Sequence, residues 1–345
     1  MMDLSSVKKY LREYDKADIN IMEVCGSHTA AIRKLGIPSL LSEHIHLISG
    51  PGCPVCVTAS AYIDKLLQLA EAGKCIVTFG DLIRVMGSTS SLSIEKGRGA
   101  RVEVVYSPFD LVKMAKAEPN TPFIFAAIGF ETTTPIYALL LEQLIAENIH
   151  NVQLLTALKT MPPVIEHLCA LGAPINGFLA PGHVSVVTGS DIFLPIAKKY
   201  HLPFGVSGFS GEELLVAIYG IVRAKDKGCV MNFYPSVVWA KGNQKAQECV
   251  QKYFVKTDAA WRGMGIISDS GLKIREEYSI YDAGSDNLIE DKKSNQACRC
   301  DEVLMGTISP AQCPLYKKVC NPLNPQGACM VSSEGSCHAY YTSGL

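Results

Sequence analysis

The chain has 345 residues with 32 Lys+Arg against 33 Asp+Glu, and 48% of it is hydrophobic. That length and apolar content support two or three domains with proper cores, and the charge balance argues against a broad nucleic-acid or anionic-membrane surface. The N-terminus, MMDLSSVKKYLREYDKADI, lacks the apolar stretch of a secretory signal, and no run approaches the ~20 apolar residues of a membrane helix; the expectation is a cytoplasmic protein with no membrane or nucleic-acid partner.

Residues 1–17 read as a charged helix that docks on the C-terminal domain. From Ile19 to about Ala224, strand-like and helix-like runs alternate. The strand-like runs are INIMEV (19–24), HLIS (46–49), CIVTF (75–79), VEVVY (102–106), PFIFAAI (122–128), VQLLTAL (152–158), INGFLA (175–180) and PFGVS (203–207). Between them lie helical patterns such as YIDKLLQLAEAG (62–73), PFDLVKMAKA (108–117), PIYALLLEQLIAENI (135–149) and GEELLVAIYGIVRA (211–224). This rhythm predicts an α/β fold with parallel sheets covered on both faces. A hinge before Asn120 divides it into α/β units at 18–119 and 120–225, and 226–345 forms a third, smaller unit. The polar stretch 281–297 leads into the cysteine-rich tail of that unit.

Thirteen cysteines, an odd number, point to a reducing compartment rather than a secreted disulfide scaffold. Six of them crowd the tail: Cys298, Cys300, Cys313, Cys320, Cys329 and Cys337. A segment so rich in Pro and Gly needs a covalent or metal staple, and four thiolates can hold a [4Fe–4S] cube or a tetrahedral zinc ion. The tail lacks the paired C-x₂₋₄-C knuckles usual for structural zinc. Gaps of 14, 6 and 16 residues from Cys298 through Cys313 and Cys320 to Cys337 suit a cluster held by irregular loops. Cys300 and Cys329 are then left over as a dithiol pair or buried bystanders.

Near the N-terminus, SGPGCPVCVT (49–58) contains the C-x-x-C pair Cys53 and Cys56, which can close a disulfide, bind a metal or act as a redox dithiol. In VCGSHT (24–29), Cys25 falls at a strand's carboxyl end with Ser27 as a helix N-cap. A helix N-terminus lowers a thiol's pKa, so Cys25 is expected to be a ready thiolate or soft metal ligand, with His28 in reach of the same centre. Ligands of α/β units sit beyond the strands' carboxyl ends. FGDLIRV (79–85) places Asp81 and Arg84 there, GFETT (129–133) places Glu131, Thr132 and Thr133, APGHVS (180–185) places His183 and Ser185, and SGFSGEE (207–213) places Glu212. Glu131 serves equally as a helix cap, and His28 or His183 as a buried histidine bonded to backbone. No phosphate-binding glycine motif and no G-x-S-x-G elbow is present.

In this order, CGSHT, GPGCPVCVT, GFETT, PGHVS and CRC…CPLYKKVC…GACMVSSEGSC resemble the [NiFe]-hydrogenase maturation factor HypD family over roughly residues 8–342. The resemblance implies two α/β domains facing a cleft and a smaller C-terminal iron–sulfur domain. It implies a scaffold that assembles the Fe(CN)₂CO moiety with the small chaperone HypC, the cyanides coming from HypF and HypE. Carried over by motif, Cys25 would hold the transient mononuclear iron, and Cys53 and Cys56 would be a redox pair. His28, Glu131 and His183 would line the cleft. Cys298, Cys313, Cys320 and Cys337 would hold the [4Fe–4S] cluster, with Cys300 and Cys329 as the extra pair. Thr29, Ala30 and Ala31 follow His28, so the second histidine found in some members is absent here. The protein is expected to be a monomer that joins transient complexes. Two other readings of the same residues are an iron–sulfur thiol–disulfide reductase and a zinc-stapled binding module.

Overall fold

The computed structural model describes residues 3–344. Among the described residues, eleven strands form two sheets. The first contains β1 (Ile19–Glu23), β2 (Ile45–Ser49), β7 (Gly177–Pro181), β8 (Phe204–Ser207) and β9 (Val230–Asn232) in the order β2-β1-β7-β8-β9, all parallel. The second contains β3 (Cys75–Thr78), β4 (Val102–Val104), β5 (Phe123–Gly129), β6 (Val152–Lys159), β10 (Phe254–Trp261) and β11 (Gly265–Ile274) in the order β10-β11-β6-β5-β3-β4. Its β6-β5-β3-β4 part is parallel, and the β10–β11 hairpin adds antiparallel to the edge of β6.

All eight strand-like runs are strands, and the four named helical runs are helices. The central strands are apolar throughout because both faces are covered; every residue of β5 is buried. The division at residue 120 does not match the sheets. Strands before residue 50 and strands at 177–232 share one sheet, and 75–159 shares the other with the hairpin 254–274. A polar hairpin within the expected third unit thus belongs to the second sheet.

Helix α1 (Leu4–Arg12) buries Val7 and Leu11 in a core with Leu214, Ile218 and Ile221 of the helix Gly211–Arg223. It therefore docks on the outer face of the first sheet and not on the cysteine-rich tail. Its apolar stripe is complementary to that helix, whereas the tail presents mainly thiols and loops. The tail is not cored on its own. Val303, Leu304, Met330 and Val331 join the largest core, which also takes in Phe178 and Phe204 from one sheet and Ile124 and Leu155 from the other. Among the described residues no helix is long and apolar enough to cross a membrane.

Candidate functional site

Strand β1 ends at Glu23, and Cys25 is the N-cap of α2 (Gly26–Lys34). Strand β2 ends at Ser49, and the loop after it turns back across that N-terminus. Gly26 N–H donates to Gly52 O (3.0 Å), and Gly50 N–H donates to Glu23 O (2.9 Å). A Cβ on Gly52 would lie 2.4 Å from the Cys25 nitrogen, so only glycine lets the two loops meet. The same loop continues into α3 (Pro54–Val57), with Cys53 as N-cap. Cys53 and Cys56 form a disulfide, with Cα atoms 5.2 Å apart.

The tail closes this site from the other side. Ser27 Oγ donates to Glu334 Oε1 at 2.6 Å, and a Cβ on Gly26 would meet Glu334 O at 2.6 Å. Ser27 is therefore a tether to the tail, not the helix N-cap expected from the sequence. A cavity of about 220 Å³ results, lined by Cys25, Gly52, Phe130, Thr132, His183 and Glu334 among others. All of these but Glu334 follow β1, β2, β5 or β7, so both sheets aim their carboxyl ends at it.

Not every expected residue reaches this cavity. His28 is fully buried, and its Nε2 lies 3.2 Å and 3.0 Å from the Ser207 and Gly208 carbonyls, so it carries the proton and donates. Burial pushes its pKa down to about 4, against those carbonyl contacts, and the ring packs on Phe209. It braces α2 against the 207–208 loop instead of facing Cys25. His183 is exposed on the other face of Phe209, with ring centroids 4.2 Å apart, and does line the cavity. Glu131 is buried and accepts from Met161 N–H at 2.8 Å, capping the helix Met161–Ala170. Its Oε2 has no partner, and burial raises its pKa to about 7. Cys25 itself departs from expectation: only 8% exposed, its thiol is pushed up to about 12 by burial, with the Glu334 carboxylate adding to the rise. Burial outweighs the backbone amides of His28 and Ser27 that favour the thiolate.

The tail approaches the disulfide as well. Cys56 Sγ lies 3.9 Å from Ala328 O, and Cys329 follows directly. Cys329 Sγ and Cys300 Sγ are 2.8 Å apart. The Cys329 thiol beside it pulls Cys300 down, with Arg262 assisting, while Cys329 is pushed up by Cys300 and Cys337. Cys298, Cys313, Cys320 and Cys337 are each 6–8% exposed. Burial raises Cys298, and the neighbouring Cys300, Cys313 and Cys337 raise it further. Gln326 N–H points at Cys320 Sγ (3.4 Å), and Gly327 presses against Cys298, where a Cβ would come within 2.6 Å of the sulfur. Among the described residues no three His, Cys, Asp or Glu side chains converge to share one metal ion. A [4Fe–4S] cube is a larger object in which each iron takes its own thiolate. Four buried thiols, a backbone N–H on a sulfur and a glycine wall fit such a group in donor chemistry.

Asp81 accepts from Ser332 Oγ (2.9 Å), and Arg84 Nη1 donates to Pro322 O (3.1 Å), so the 79–85 motif buttresses the tail. Ser185 Oγ donates to Pro181 O inside its own helix, and Glu212 is exposed in the first turn of the helix Gly211–Arg223. Sequence reasoning missed Glu334. Its only signal was its place in the tail run VSSEGSC, where the thiols draw the eye.

These elements define a two-sheet α/β protein whose thiol motifs, far apart in sequence, meet at one cavity. The profile described as "Hydrogenase formation hypA family", the HypD family, matches residues 3–344. The chain is 41% identical over 336 residues to the hydrogenase maturation factor HypD of Escherichia coli, covering 94% of this chain and 88% of that protein. It is 39% identical over 339 residues to HypD of Rhizobium leguminosarum bv. viciae (94% and 88%) and 38% identical over 342 residues to HypD of Azotobacter vinelandii (95% and 90%). The chain belongs to the HypD family of hydrogenase maturation factors.

Proposed function

We propose that this protein is a cytoplasmic scaffold on which the Fe(CN)₂CO moiety of [NiFe] hydrogenase is assembled, with Cys25 holding the iron together with a thiolate of the small chaperone HypC. The observation that carries this reading is the meeting of Cys25, the Cys53–Cys56 loop and Glu334 of the tail around one cavity. Soft thiolate suits low-spin, electron-rich Fe(II) bearing cyanide and carbon monoxide. A buried thiol near pKa 12 keeps its proton until a cation replaces it, so iron loading and deprotonation are one event at Cys25. His183, Thr132 and Thr133 line the same cavity and would supply polar contacts to the iron's outer ligands. HypE, the cyanide donor, would approach the open side of the same cavity.

Cys298, Cys313, Cys320 and Cys337 would hold a [4Fe–4S] cluster, and Cys300 and Cys329 would be a second dithiol beside it. When bound, that cluster supplies one-electron storage. The Cys53–Cys56 pair, once reduced, gives up two electrons and two protons as its disulfide closes. Its position between the Cys25 loop and Ala328 supports a role in delivering those electrons to the iron site.

The test is co-expression with HypC under argon, followed by infrared spectroscopy. Wild-type complex should carry C≡N and C≡O bands, and Cys25→Ala should lose them while retaining the visible absorption of the cluster. Cys53→Ala should likewise keep the cluster and lose the bands. Bands that persist in Cys25→Ala overturn the assignment.

A further inference from the structure

Lys159 ends β6, the strand that joins the parallel part of the second sheet to the hairpin, and pairs with Gly271 of β11. Its side chain is only 3% exposed. A lysine so placed is ordinarily paired with a carboxylate or a ring of carbonyls. Here its Nζ has neither a hydrogen bond nor an ion pair among the described residues. The Trp261 ring centroid lies 5.6 Å from it.

The nitrogen gives onto a cavity of about 320 Å³ between β6, the hairpin and the loop 285–289, with Thr58 and Tyr62 closing it from the start of α4 (Ser60–Glu71). This cavity is separate from the one at Cys25. Trp261 stacks on Phe130 (6.0 Å) between them, Phe130 belonging to the wall of the Cys25 cavity.

The other charged side chains that line the cavity have partners. Asp258 accepts from the Asp269 N–H (3.1 Å), and Asp286 pairs with Lys273 (3.5 Å) at the exposed rim. Outside the lining, Arg262 Nη1 reaches Asp291 (3.4 Å) while its Nε and Nη2 have no partner among the described residues, and within it Tyr62 OH donates to Leu155 O (2.8 Å). The Thr58 hydroxyl is likewise taken, by Pro54 O (2.8 Å). In contrast, the Thr156 and Thr257 hydroxyls and the Asn287 amide line the space with no partner among the described residues. A buried basic nitrogen with no direct partner, several free uncharged donors and room for a small molecule together describe an anion site.

We propose that this cavity binds a small oxyanion, a phosphate or carboxylate group, with Lys159 as its charge partner. The buried amine, held down to about 7 by burial with Arg262 adding to the effect and Asp291 opposing it, is largely uncharged above neutrality. An anion beside it restores the ammonium form, so binding above pH 7 takes up a proton. The oxyanion sits behind Trp261, whose backbone pairs with Thr58 directly after the Cys53–Cys56 helix, so the ligand contacts the frame of the redox loop without touching Cys25.

The experiment titrates the full-length protein at pH 8 with inorganic phosphate and, separately, acetate, by calorimetry in two buffers of different ionisation heat. In parallel, acetylation of Lys159 by an amine-reactive ester is followed by peptide mass mapping. The expected result is one saturable site, uptake of nearly one proton per anion, and about 10-fold slower acetylation of Lys159 at ten times the Kd. Lys159→Met should abolish binding. Binding of phosphate but not acetate assigns a phosphate ligand, and the reverse a carboxylate. Neither anion binding, or binding that leaves Lys159 acetylation unchanged, overturns the proposal. The acetylation arm uses only wild-type protein, so it decides the matter even if Lys159→Met fails to fold.

Discussion

Ser27 and Glu334, 307 residues apart, are joined by a 2.6 Å hydrogen bond directly beside Cys25. This contact makes the cysteine-rich tail a wall of the cavity at Cys25. Glu334 lies three residues before Cys337 on the approach to the helix Ser336–Thr342. Glu334→Ala should weaken tail docking by about 1.5–3 kcal/mol, the range for a hydrogen bond to a charged group. Hydrogen exchange across 336–342 should accelerate. Gly26→Ala should have the same effect by a different route, because its Cβ would strike Glu334 O at 2.6 Å. Unchanged protection in both variants would contradict the docking described.

Gly52→Ala tests the junction of the two N-terminal motifs. The added Cβ would fall 2.4–2.6 Å from Cys25 N, Cα and C, all backbone atoms that cannot rotate away. A loss of about 1–3 kcal/mol in urea-unfolding stability is expected, together with loss of iron from the chaperone complex. Retention of both properties would mean that the loops do not meet so closely.

Cys25 should be a sluggish nucleophile in the free protein. With its thiol near pKa 12, alkylation by iodoacetamide at pH 8 should be roughly 100-fold slower in the folded state than in urea. Peptide mapping after timed quenching measures this directly. Fast labelling would show that the helix N-terminus, and not burial, governs the thiol.

Two buried groups give opposing pH dependences. Glu131, raised from 4.5 to about 7, binds more protons folded than unfolded, so its contribution is complete below pH 4.5 and is lost as pH rises toward 7. His28, lowered from 6.5 to about 4, binds fewer protons folded, so its contribution grows as pH rises from 4 to 6.5. Each slope approaches about 1.4 kcal/mol per pH unit inside its window. Glu131→Gln keeps an acceptor for Met161 N–H and removes the falling slope. Its stability should therefore climb more steeply than wild type between pH 4.5 and 6.5, as read from urea midpoints. Parallel profiles would contradict the burial of Glu131 as a carboxylic acid.

The eight early strands were legible because sheets covered on both faces demand unbroken apolar runs, as in FIFAAIG at β5. The hairpin β10–β11 was not. Its burial alternates irregularly along FVKTDAAW, and it adds to a sheet laid down a hundred residues earlier. Which sheet a strand joins depends on long-range pairing that no local period encodes, so a hinge expected at 120 does not coincide with the grouping of strands into sheets. Within the site, Cys25, Cys53, Cys56 and His183 stood out as chemistry-bearing residues at strand ends. The direction of His28 did not, because a helix position fixes the backbone, while the Ser207 and Gly208 carbonyls that capture the ring come from β8 and the loop after it. Lys159 was hidden for a similar reason: the last residue of VQLLTALK reads as a strand end emerging into solvent, but the hairpin covers it.

The most direct test of the central claim is metal analysis with Mössbauer spectroscopy on protein purified under argon, alone and with the small chaperone. The account predicts about four irons per chain as a [4Fe–4S] cluster in the protein alone. In the complex it predicts additional low-spin iron that disappears in Cys25→Ala. Zinc in place of iron, or a complex whose iron content is indifferent to Cys25, would contradict it.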